Sequence, residues 1–390
     1  MADQPRLLFI SPVFLFPTDT GGRIRTTNVL RGMKGGRFHI TLASPATPGQ
    51  ASRHQAEIDA VCDRFVSWPD HKIGVRSKLW SIAALPSALP VSVASDRSGA
   101  ALRTVARLLA EPPDLVVADF IHAAGLLPKG FGTAQGPASV MFTHNVEAEI
   151  FQRHVQYARS PLMRLLWQDQ YRKMLRFEGE TLQRFDTVIA VSDRDLQQFQ
   201  ARHAIRQGAA IPTAVDLDYF AYTPKPLAEP PRPGTGLVFT GSMDWRANID
   251  AMEYFIAEIW PLIAAARPDA TLTVVGRKVP EQLVARTRSQ ALPIRFTGFV
   301  PDVRPYVQAA DAYIIPLRVG GGTRIKVYEA MAMGCPVVST SIGVEGLPVE
   351  DNEHYLCADT PERFAGRTLE LLAAPARGQA LAEHAYRFVS

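Results

Sequence analysis

The segment PLRVGGGTRIKVYEAMAMGCPVVST (316–340) contains the pattern that decides the fold. An apolar strand is predicted to end at Pro316, three glycines follow, and a helix is predicted from about Thr323, a good N-cap residue. A second apolar run, Pro336–Ser339, follows this helix directly. A strand, a helix and a strand in close succession indicate a βαβ unit of parallel sheet.

The same alternation of short apolar runs and helical patterns extends along the chain. Strands are predicted at Leu7–Ser11, His39–Ala43, Leu115–Asp119, Ser139–Thr143, Thr187–Val191, Leu237–Thr240, Thr271–Val275, Ile294–Thr297, Ala312–Pro316, Pro336–Ser339 and Tyr355–Cys357. Helices are predicted near 23–34, 97–110, 161–184, 193–203, 248–266, 280–289, 324–333 and 361–374. The pattern predicts the α/β class, with two doubly wound, Rossmann-like domains.

A proline-rich segment, TPKPLAEPPRPGTG (223–236), separates the two halves of the chain. Its five prolines and two glycines suit neither a helix nor a central strand. We therefore predict a first domain over 1–211, a linker over 212–236, a second domain over 237–375 and a C-terminal helix over 376–390. Ligands of such sheets bind at the carboxyl ends of the strands, so a cleft between two facing domains is the expected site.

The composition indicates a globular protein and argues against several other classes. Apolar residues make up 47% and charged residues 21% of the 390 residues, as in an ordinary globular protein. The three cysteines (Cys62, Cys335 and Cys357) exclude a disulfide framework and a CxxC-type zinc site. No apolar stretch reaches the length of a membrane-spanning helix, and Pro12 interrupts the apolar start of the chain. We expect a cytoplasmic protein.

Charge is distributed unevenly between the halves. Residues 1–211 contain 25 Lys and Arg against 18 Asp and Glu, whereas residues 212–390 contain 17 against 20. The excess in the first half indicates that it faces something anionic. It is too weak for nucleic-acid binding, and no nucleic-acid-binding motif accompanies it.

The glycine-rich loop of the opening segment predicts an anion site. Gly320, Gly321 and Gly322 leave their N–H groups open beside a helix N-terminus. Arg324 and Lys326 fall in the first helical turn, where cations oppose the helix dipole. Two cations there favour a bound anion, and the alternative is a solvated helix end.

Glu329 lies about one turn deeper, in an otherwise small and apolar part of the helix. Its carboxylate either pairs with Lys326 or accepts hydrogen bonds from hydroxyl groups such as a ribose diol. Phosphates at the helix start and a sugar diol one turn deeper describe a nucleoside diphosphate.

This stretch resembles the nucleotide-sugar signature of glycosyltransferase family 4, which contains retaining enzymes of GT-B fold. Further similar segments are VSD (191–193), VDLDYF (215–220), FTGSMDWRANIDAMEYF (239–255) and TGFVPDVRPYVQAADAYIIPL (297–317), so the resemblance covers nearly the whole chain. It implies that Glu329, the second glutamate of an E-x7-E pair, holds the ribose. It also implies that Arg324 and Lys326 meet the diphosphate.

Further nucleotide-sugar contacts are implied for the glycine loop and for Thr323, Gly241, Ser242, Arg277 and Phe299. In relatives, a C-terminal helix returns to the first domain, as residues 376–390 would here.

Two departures from the family pattern concern the sugar and the phosphates. The first glutamate of the pair falls at Gly321, and the Arg and Lys that usually follow the first strand of the second domain fall at Ser242 and Ala247. We interpret the chain as a subfamily in which Arg324 and Lys326 supply the charge for the diphosphate.

The first domain contributes a second glycine loop and a histidine. In FPTDTGGRIRTTNVL (16–30), Gly21 and Gly22 precede a helix whose first turn carries Arg25. The resemblance implies that this loop reaches toward the diphosphate and the acceptor; two glycines before a helix otherwise make only a turn. His144 follows a strand, and the resemblance implies that it approaches the transferred sugar, although a lone histidine is more often structural. Asp119, at another strand end, is interpreted as structural.

A long amphipathic helix is predicted within SPLMRLLWQDQYRKMLRFEGETLQRF (160–185). It carries Arg164, Arg172, Lys173 and Arg176 among its apolar positions. Either the helix packs on the domain core with a solvated basic face, or this face meets anionic lipid head groups.

Together these features predict a glycosyltransferase that needs no cofactor and no metal ion. The resemblance implies that it retains the anomeric configuration and that an oxygen of the leaving phosphate assists deprotonation of the acceptor. The expected partners are a nucleotide-sugar and a saccharide or lipid-linked acceptor in polysaccharide biosynthesis, with weak peripheral contact to the inner face of the membrane. Two alternatives stay open: a nucleotide-sugar epimerase of the same fold, and a binding protein without catalysis.

Overall fold

A computed structural model describes residues 4–70, 84–132, 136–158, 160–224, 235–320 and 324–390. The chain divides into two compact units, the first ending at Thr213 and the second beginning at Ala214. Each unit is an α/β structure built around its own parallel sheet, which confirms the predicted fold class.

The first unit contains a parallel sheet with the strand order β3-β2-β1-β4-β5-β6-β7. Its strands are β1 (Arg6–Ile10), β2 (His39–Pro45), β3 (Arg64–Trp68), β4 (Leu115–Asp119), β5 (Ala138–Phe142), β6 (Thr187–Ala190) and β7 (Gln207–Ala210). Its helices are α1 (Gly21–Met33), α2 (Pro48–Arg53), α3 (Gln55–Asp59), α4 (Val91–Ala94), α5 (Gly99–Ala110), α6 (Phe120–Ala123), α7 (Glu147–Gln156), α8 (Pro161–Leu182) and α9 (Asp193–Arg202). Leu7 and Phe9 pack into one apolar cluster, while Leu8 and Ile10 pack into another. Both faces of β1 are therefore buried, as its uninterrupted apolar sequence requires.

The second unit contains a parallel sheet with the strand order β10-β9-β8-β11-β12-β13. Its strands are β8 (Gly236–Thr240), β9 (Thr271–Val275), β10 (Ile294–Gly298), β11 (Ala312–Ile315), β12 (Val337–Ser339) and β13 (Leu356–Cys357). Its helices are α10 (Arg246–Tyr254), α11 (Trp260–Ala266), α12 (Glu281–Ser289), α13 (Arg304–Ala309), α14 (Ile325–Ala332), α15 (Pro361–Ala373) and α16 (Pro375–Val389). One large apolar cluster, which includes Phe239, Trp260 and Tyr313, forms its core.

The eleven predicted strands are confirmed, with ends that differ by at most two residues. The sequence patterns did not predict strands β3 and β7 or the helices α2, α3, α4, α6, α7 and α13. Strands β3 and β7 form the two edges of the first sheet, and only Trp68 of β3 and no residue of β7 is buried. An edge strand lacks the continuous apolar run that identifies a central strand, so its pattern resembles a loop.

The helix predicted over 248–266 is interrupted by a π-helical turn at Phe255–Ile259, which separates α10 from α11. The N–H of Trp260 bonds to the carbonyl of Phe255, five residues earlier. Pro261 follows at the start of α11 and has no N–H to donate to the preceding turn. The wider turn is therefore located where a regular α-helix would lose a hydrogen bond.

The segment predicted as a linker divides between the units. Ala214 onward belongs to the second unit, where the Tyr222 ring stacks on Tyr386 of α16 at 4.4 Å between centroids. The proline-rich residues 225–234 lie outside the described residues. Helix α16 also belongs to the second unit and packs against α14 and α15.

Strand order brings particular loops together in each unit. In the first, β1 lies between β2 and β4, so the residues after β1, β4 and β5 emerge at one edge. In the second, β8 lies between β9 and β11, so Gly241 and the loop after Ile315 emerge side by side. These are the points at which doubly wound sheets bind ligands.

Gly276 allows the ends of β8 and β9 to approach closely. A Cβ atom at this position would lie 1.9 Å from the carbonyl oxygen of Gly241. We predict that Gly276→Ala destabilises the second unit by about 2 kcal/mol, which lowers its melting temperature by roughly 4–8 °C. Thermal unfolding followed by circular dichroism tests this. The control is Gly49→Ala, where a Cβ meets no atom within 4 Å; equal melting temperatures for both variants would contradict the prediction.

Candidate functional site

Lys326 joins three elements of the second unit. Its Nζ donates hydrogen bonds to the carbonyl oxygen of Thr240 at 2.9 Å and to Oδ1 of Asn248 at 3.1 Å. The ammonium also lies 4.6 Å from the centre of the Phe239 ring. Helix α14, the end of β8 and the start of α10 are thereby tied together. An ammonium has three N–H donors, and these contacts use two of them.

Removal from water lowers the pKa of Lys326 to about 7, and the neighbouring charge of Arg324 acts in the same direction, while Glu329 opposes it. The described residues provide no ion-pair partner for its Nζ. The side chain is therefore poised between amine and ammonium near neutral pH.

Glu329 lies on the same helix, half-buried. Within the part of the chain that the structure describes, no hydrogen bond or ion pair reaches its carboxylate. Burial raises its pKa to about 7, and the charge of Lys326 only partly offsets this. The pairing of Glu329 with Lys326 that the sequence left open is therefore not formed at ion-pair distance. A half-buried carboxylate without a hydrogen-bond donor is suited to a ligand that brings its own.

The start of α14 differs from the prediction. The N-cap is Arg324, in a left-handed conformation with φ of 45°, and the helix begins at Ile325. Arg324 therefore precedes the first turn, and its Nη2 turns back to the carbonyl oxygen of Gly320 at 3.1 Å and lies 3.7 Å from Glu345. Gly321, Gly322 and Thr323, which were predicted to bind the nucleotide-sugar, lie outside the described residues.

Ser242 and Arg277 meet, although they are far apart in the sequence. Arg277 Nε donates to Ser242 Oγ at 3.0 Å, and Ser242 Oγ donates to Asp244 at 2.6 Å. Gly241 approaches Asn248 so closely that a Cβ there would lie 2.7 Å from the amide nitrogen. Phe299 lies elsewhere, after β10 at the sheet edge, and is 70% exposed.

Sequence analysis missed three residues that hold this region. Asn248 donates to the carbonyl oxygen of Ser242 at 2.9 Å while it accepts from Lys326. Arg318 forms two hydrogen bonds to Asp250, of 3.1 and 2.7 Å, and lies over the Tyr254 ring. These contacts fix the loop after β11 against α10. A buried asparagine near the start of a helix was the available signal, because such a side chain needs a partner.

In the first unit, His144 belongs to a buried network centred on Asp119. His144 Nε2 lies 2.8 Å from Asp119 Oδ1. The Thr26 hydroxyl contacts both oxygens of this carboxylate at 3.0 and 3.1 Å, and Ser11 Oγ donates to Oδ2 at 3.0 Å. Asp119 thus has a larger role than the sequence indicated, since it joins α1 to the ends of β1, β4 and β5.

The His144 ring is fixed on all sides. Phe120 stacks on it at 3.9 Å, and Phe142 approaches edge-on at 5.2 Å. Burial lowers the pKa of His144, although Asp119 opposes the shift. An acceptor carboxylate at Nε2 places the proton on that nitrogen in the neutral ring. Nδ1 is buried and has no hydrogen-bond partner among the described residues.

The first glycine loop meets this histidine. Helix α1 begins at Gly21, and a Cβ on Gly22 would lie 2.5 Å from the Phe120 ring and 3.7 Å from His144 Nδ1. The structure thus brings together Gly22 and His144, which the sequence predicted separately.

Arg25 turns inward. Its guanidinium donates to the carbonyl oxygens of Thr143 at 2.9 Å and Ile211 at 2.7 Å and lies 4.1 Å from the Phe142 ring. The residue is only 4% exposed, and burial lowers its pKa to about 10. The geometry shows a brace between strand ends, and contact with a diphosphate stays a prediction.

The described residues show neither a metal-ion site nor a membrane-spanning helix. Among the described residues, no group of three or more His, Cys, Asp or Glu side chains is arranged to hold a metal ion. No helix in that part of the chain combines the length and the apolar character needed to cross a bilayer.

Comparison with known proteins gives two family matches and several relatives. Residues 20–219 match the model of Glycosyltransferase Family 4, and residues 234–374 match Glycosyl transferases group 1. A phosphatidyl-myo-inositol mannosyltransferase of Mycobacterium tuberculosis is 29% identical over 199 residues, which are 50% of this chain and 51% of the relative. A lipopolysaccharide core biosynthesis mannosyltransferase of Rhizobium leguminosarum is 26% identical over 62% of this chain and 69% of the relative. The chain spans about half the length of the mycobacterial relatives it matches.

Solved structures share the fold over nearly the whole chain. Sucrose-phosphate synthase from Thermosynechococcus elongatus has a TM-score of 0.72 at 18% identity, covering 99% of this chain and 94% of that structure. Anabaena HepE, in complex with UDP and glucose, has a TM-score of 0.68 at 15% identity, covering 99% and 95%. With two Rossmann-like domains of the GT-B type and a family model that matches half of its length, the protein belongs to Glycosyltransferase Family 4.

Proposed function

We propose that the protein transfers a sugar from a nucleotide diphosphate to a hydroxyl group of a saccharide or lipid-linked acceptor, with retention of the anomeric configuration. The observation that carries this proposal is the half-buried carboxylate of Glu329, which has no hydrogen-bond donor among the described residues and lies one turn beyond Lys326. A ribose diol brings two O–H donors, and hydrogen bonds to an ionised acceptor are stronger than neutral ones.

The diphosphate then lies at the start of α14. The N-terminus of this helix carries a partial positive charge, and the third N–H of the Lys326 ammonium is available to a phosphate oxygen. An anion at this position favours the ammonium form and so offsets the effect of burial on the lysine. Arg324 adds positive charge beside the same loop.

The chemistry needs stabilisation of an oxocarbenium-like centre and of the departing diphosphate. The bond from the anomeric carbon to the phosphate oxygen breaks, and the acceptor oxygen forms the new bond on the same face. The acceptor proton passes to an oxygen of the leaving phosphate, as the family resemblance implies. Lys326 and the helix N-terminus stabilise the negative charge that develops there.

His144 has a positioning role in this proposal. Its ring is held by Asp119 and packs against Gly22, so it fixes the first glycine loop relative to the end of β5. This loop is the part of the first unit for which the resemblance implies contact with the diphosphate and the acceptor.

The acceptor is proposed to be lipid-linked, and the protein to attach peripherally to a membrane. The named relatives act on phosphatidyl-myo-inositol and in lipopolysaccharide core synthesis, and the first half of the chain carries the basic excess. The direct test is incubation with UDP-, GDP- and ADP-linked sugars, including GDP-mannose, with and without a polyprenyl-diphosphate-linked glycan. Transfer only in the presence of the acceptor supports the proposal, whereas conversion of the nucleotide-sugar alone indicates an epimerase.

Glu329→Gln should weaken binding of the nucleoside diphosphate by roughly 10- to 100-fold, because it removes a charged acceptor from the ribose hydroxyls. Calorimetric titration measures this. The matched control is the 2′,3′-dideoxy nucleoside diphosphate, which should bind the wild type and the variant equally. Equal weakening of both ligands would remove Glu329 from the ribose site.

Lys326 should make binding of the nucleoside diphosphate depend on pH. The pKa of the free protein's lysine is about 7, so above this pH binding must take up a proton, and affinity should fall by up to about tenfold per pH unit. Below pH 7 the lysine is already charged and contributes no further change. Calorimetric titration at pH 8 in buffers of different ionisation enthalpy detects this proton uptake as a change of the binding enthalpy with the buffer. Lys326→Met should abolish the uptake; an unchanged uptake in this variant would assign the proton to another group.

Asp119→Asn should lower the rate of transfer by about 100-fold, because the His144 ring loses the carboxylate that sets its position. The dissociation constant of the nucleoside diphosphate should stay unchanged. The control is Asp186→Asn, whose carboxylate accepts from Ser139 at the other end of β5. If both variants lose the same activity, the effect is one of stability and not of position.

A further inference from the structure

Three large apolar side chains are exposed where α7 meets α8. Tyr157, Leu162 and Leu165 are 46%, 76% and 66% exposed. Single exposed apolar residues are ordinary, but a cluster within nine residues at the end of a helical hairpin is a contact surface. We call these three residues the hairpin tip.

The hairpin tip lies beyond the packed part of the first unit, and α7 and α8 contact each other beside it. No residue of α8 before Gln170 is buried, so the first turns of the helix extend beyond the packed part of the unit. The Ser160 hydroxyl caps the helix by accepting from the N–H of Met163 at 3.2 Å. Trp167 stacks on His154 at 4.5 Å and contacts Phe151 edge-on at 5.8 Å, which locks α8 onto α7.

A row of arginines continues from the hairpin tip along the exposed side of α8. Arg164, Arg172 and Arg176 are exposed and lie within an arc of roughly 120° around the helix, since steps of eight and four residues turn it by about 80° and about 40° beyond whole turns. We call them the arginine row. The described residues provide no ion pair for any of the three. Lys173, by contrast, pairs with Asp169 at 2.7 Å and donates to the carbonyl oxygen of Leu85.

We propose that the hairpin tip and the arginine row form a docking surface for an anionic phospholipid bilayer. Leucine and tyrosine side chains enter the boundary between head groups and acyl chains, and arginines pair with lipid phosphates. Charge favours a bilayer over a second copy of the chain, because a symmetric contact would set the arginine row against itself. The proposal rests on the proposed function in one respect: a lipid-linked acceptor is located in a membrane, so the enzyme must reach the membrane to use it.

Flotation of the full-length protein with liposomes tests the docking surface. The wild type should float with vesicles that contain phosphatidylglycerol, less so at about 0.5 M than at about 0.1 M NaCl, and not with pure phosphatidylcholine. Leu162→Ser/Leu165→Ser should reduce flotation at least about fivefold without any change of charge. The control is Leu262→Ser, an exposed leucine of the second unit.

A second variant tests the arginine row. Each arginine near an anionic surface contributes roughly a fivefold factor in partitioning, so Arg164→Gln/Arg172→Gln/Arg176→Gln should abolish flotation. The control makes an equal change of charge at exposed positions of the second unit: Arg286→Gln/Arg288→Gln/Arg295→Gln. This control should float like the wild type.

Several outcomes would overturn the proposal. One is that the wild type does not float with anionic vesicles. Another is that the variants of the hairpin tip or of the arginine row float like the wild type. A third is that the control variants lose as much flotation as these variants do. A dimer in sedimentation that Leu162→Ser/Leu165→Ser dissociates would instead make the tip a contact between copies. Flotation needs no substrate, and transfer to a water-soluble acceptor needs no membrane, so failure of the docking surface and failure of the proposed function are distinguishable.

Discussion

In each unit, one buried or half-buried charge joins several elements at the ends of the strands. In the first unit it is the Asp119 carboxylate, which is completely buried and receives hydrogen bonds from Thr26 and Ser11 and from the His144 ring. In the second it is Lys326, which donates to the end of β8 and to Asn248 of α10. A charge removed from water must keep its partners, because leaving either the ion or its partner unsatisfied costs several times what one ordinary hydrogen bond contributes. Each of these contacts constrains the loops at the strand ends of its own unit.

The Asp119 carboxylate and the Lys326 ammonium differ in how many of their hydrogen bonds are formed. Asp119 has a hydrogen-bond donor for each of its two oxygens. The described residues leave one N–H of the Lys326 ammonium and the whole Glu329 carboxylate without a hydrogen-bond partner. This difference between the two units is the reason that we propose the second unit as the one that binds the nucleotide-sugar.

Sequence patterns predicted the elements better than the contacts. The central strands could be predicted from the sequence. Leu7–Ile10 and Leu237–Thr240 are short, nearly continuous apolar runs, which are typical of strands buried on both faces. The edge strands β3 and β7 could not be predicted in this way, because they are partly exposed to solvent and lack a continuous apolar run. The inward turn of Arg25 depends on carbonyl groups that lie 118 and 186 residues away in the chain, and the link between Asp119 and His144 depends on β4 and β5 being neighbours. Such contacts are consequences of strand order, which residue spacing does not encode.

The π-helical turn between α10 and α11 also sets a rotation. Asn248 and Asp250 lie before the turn and face the candidate site, whereas Trp260 and Ile263 lie after it and fill the core. The extra residue of the turn rotates one half of the helix against the other by roughly 100°, the angle that one residue subtends in an α-helix. Insertions and deletions within Phe255–Ile259 are therefore expected to be much rarer among descendants of this sequence than substitutions, because losing one residue would turn either the core or the site face away from its partners.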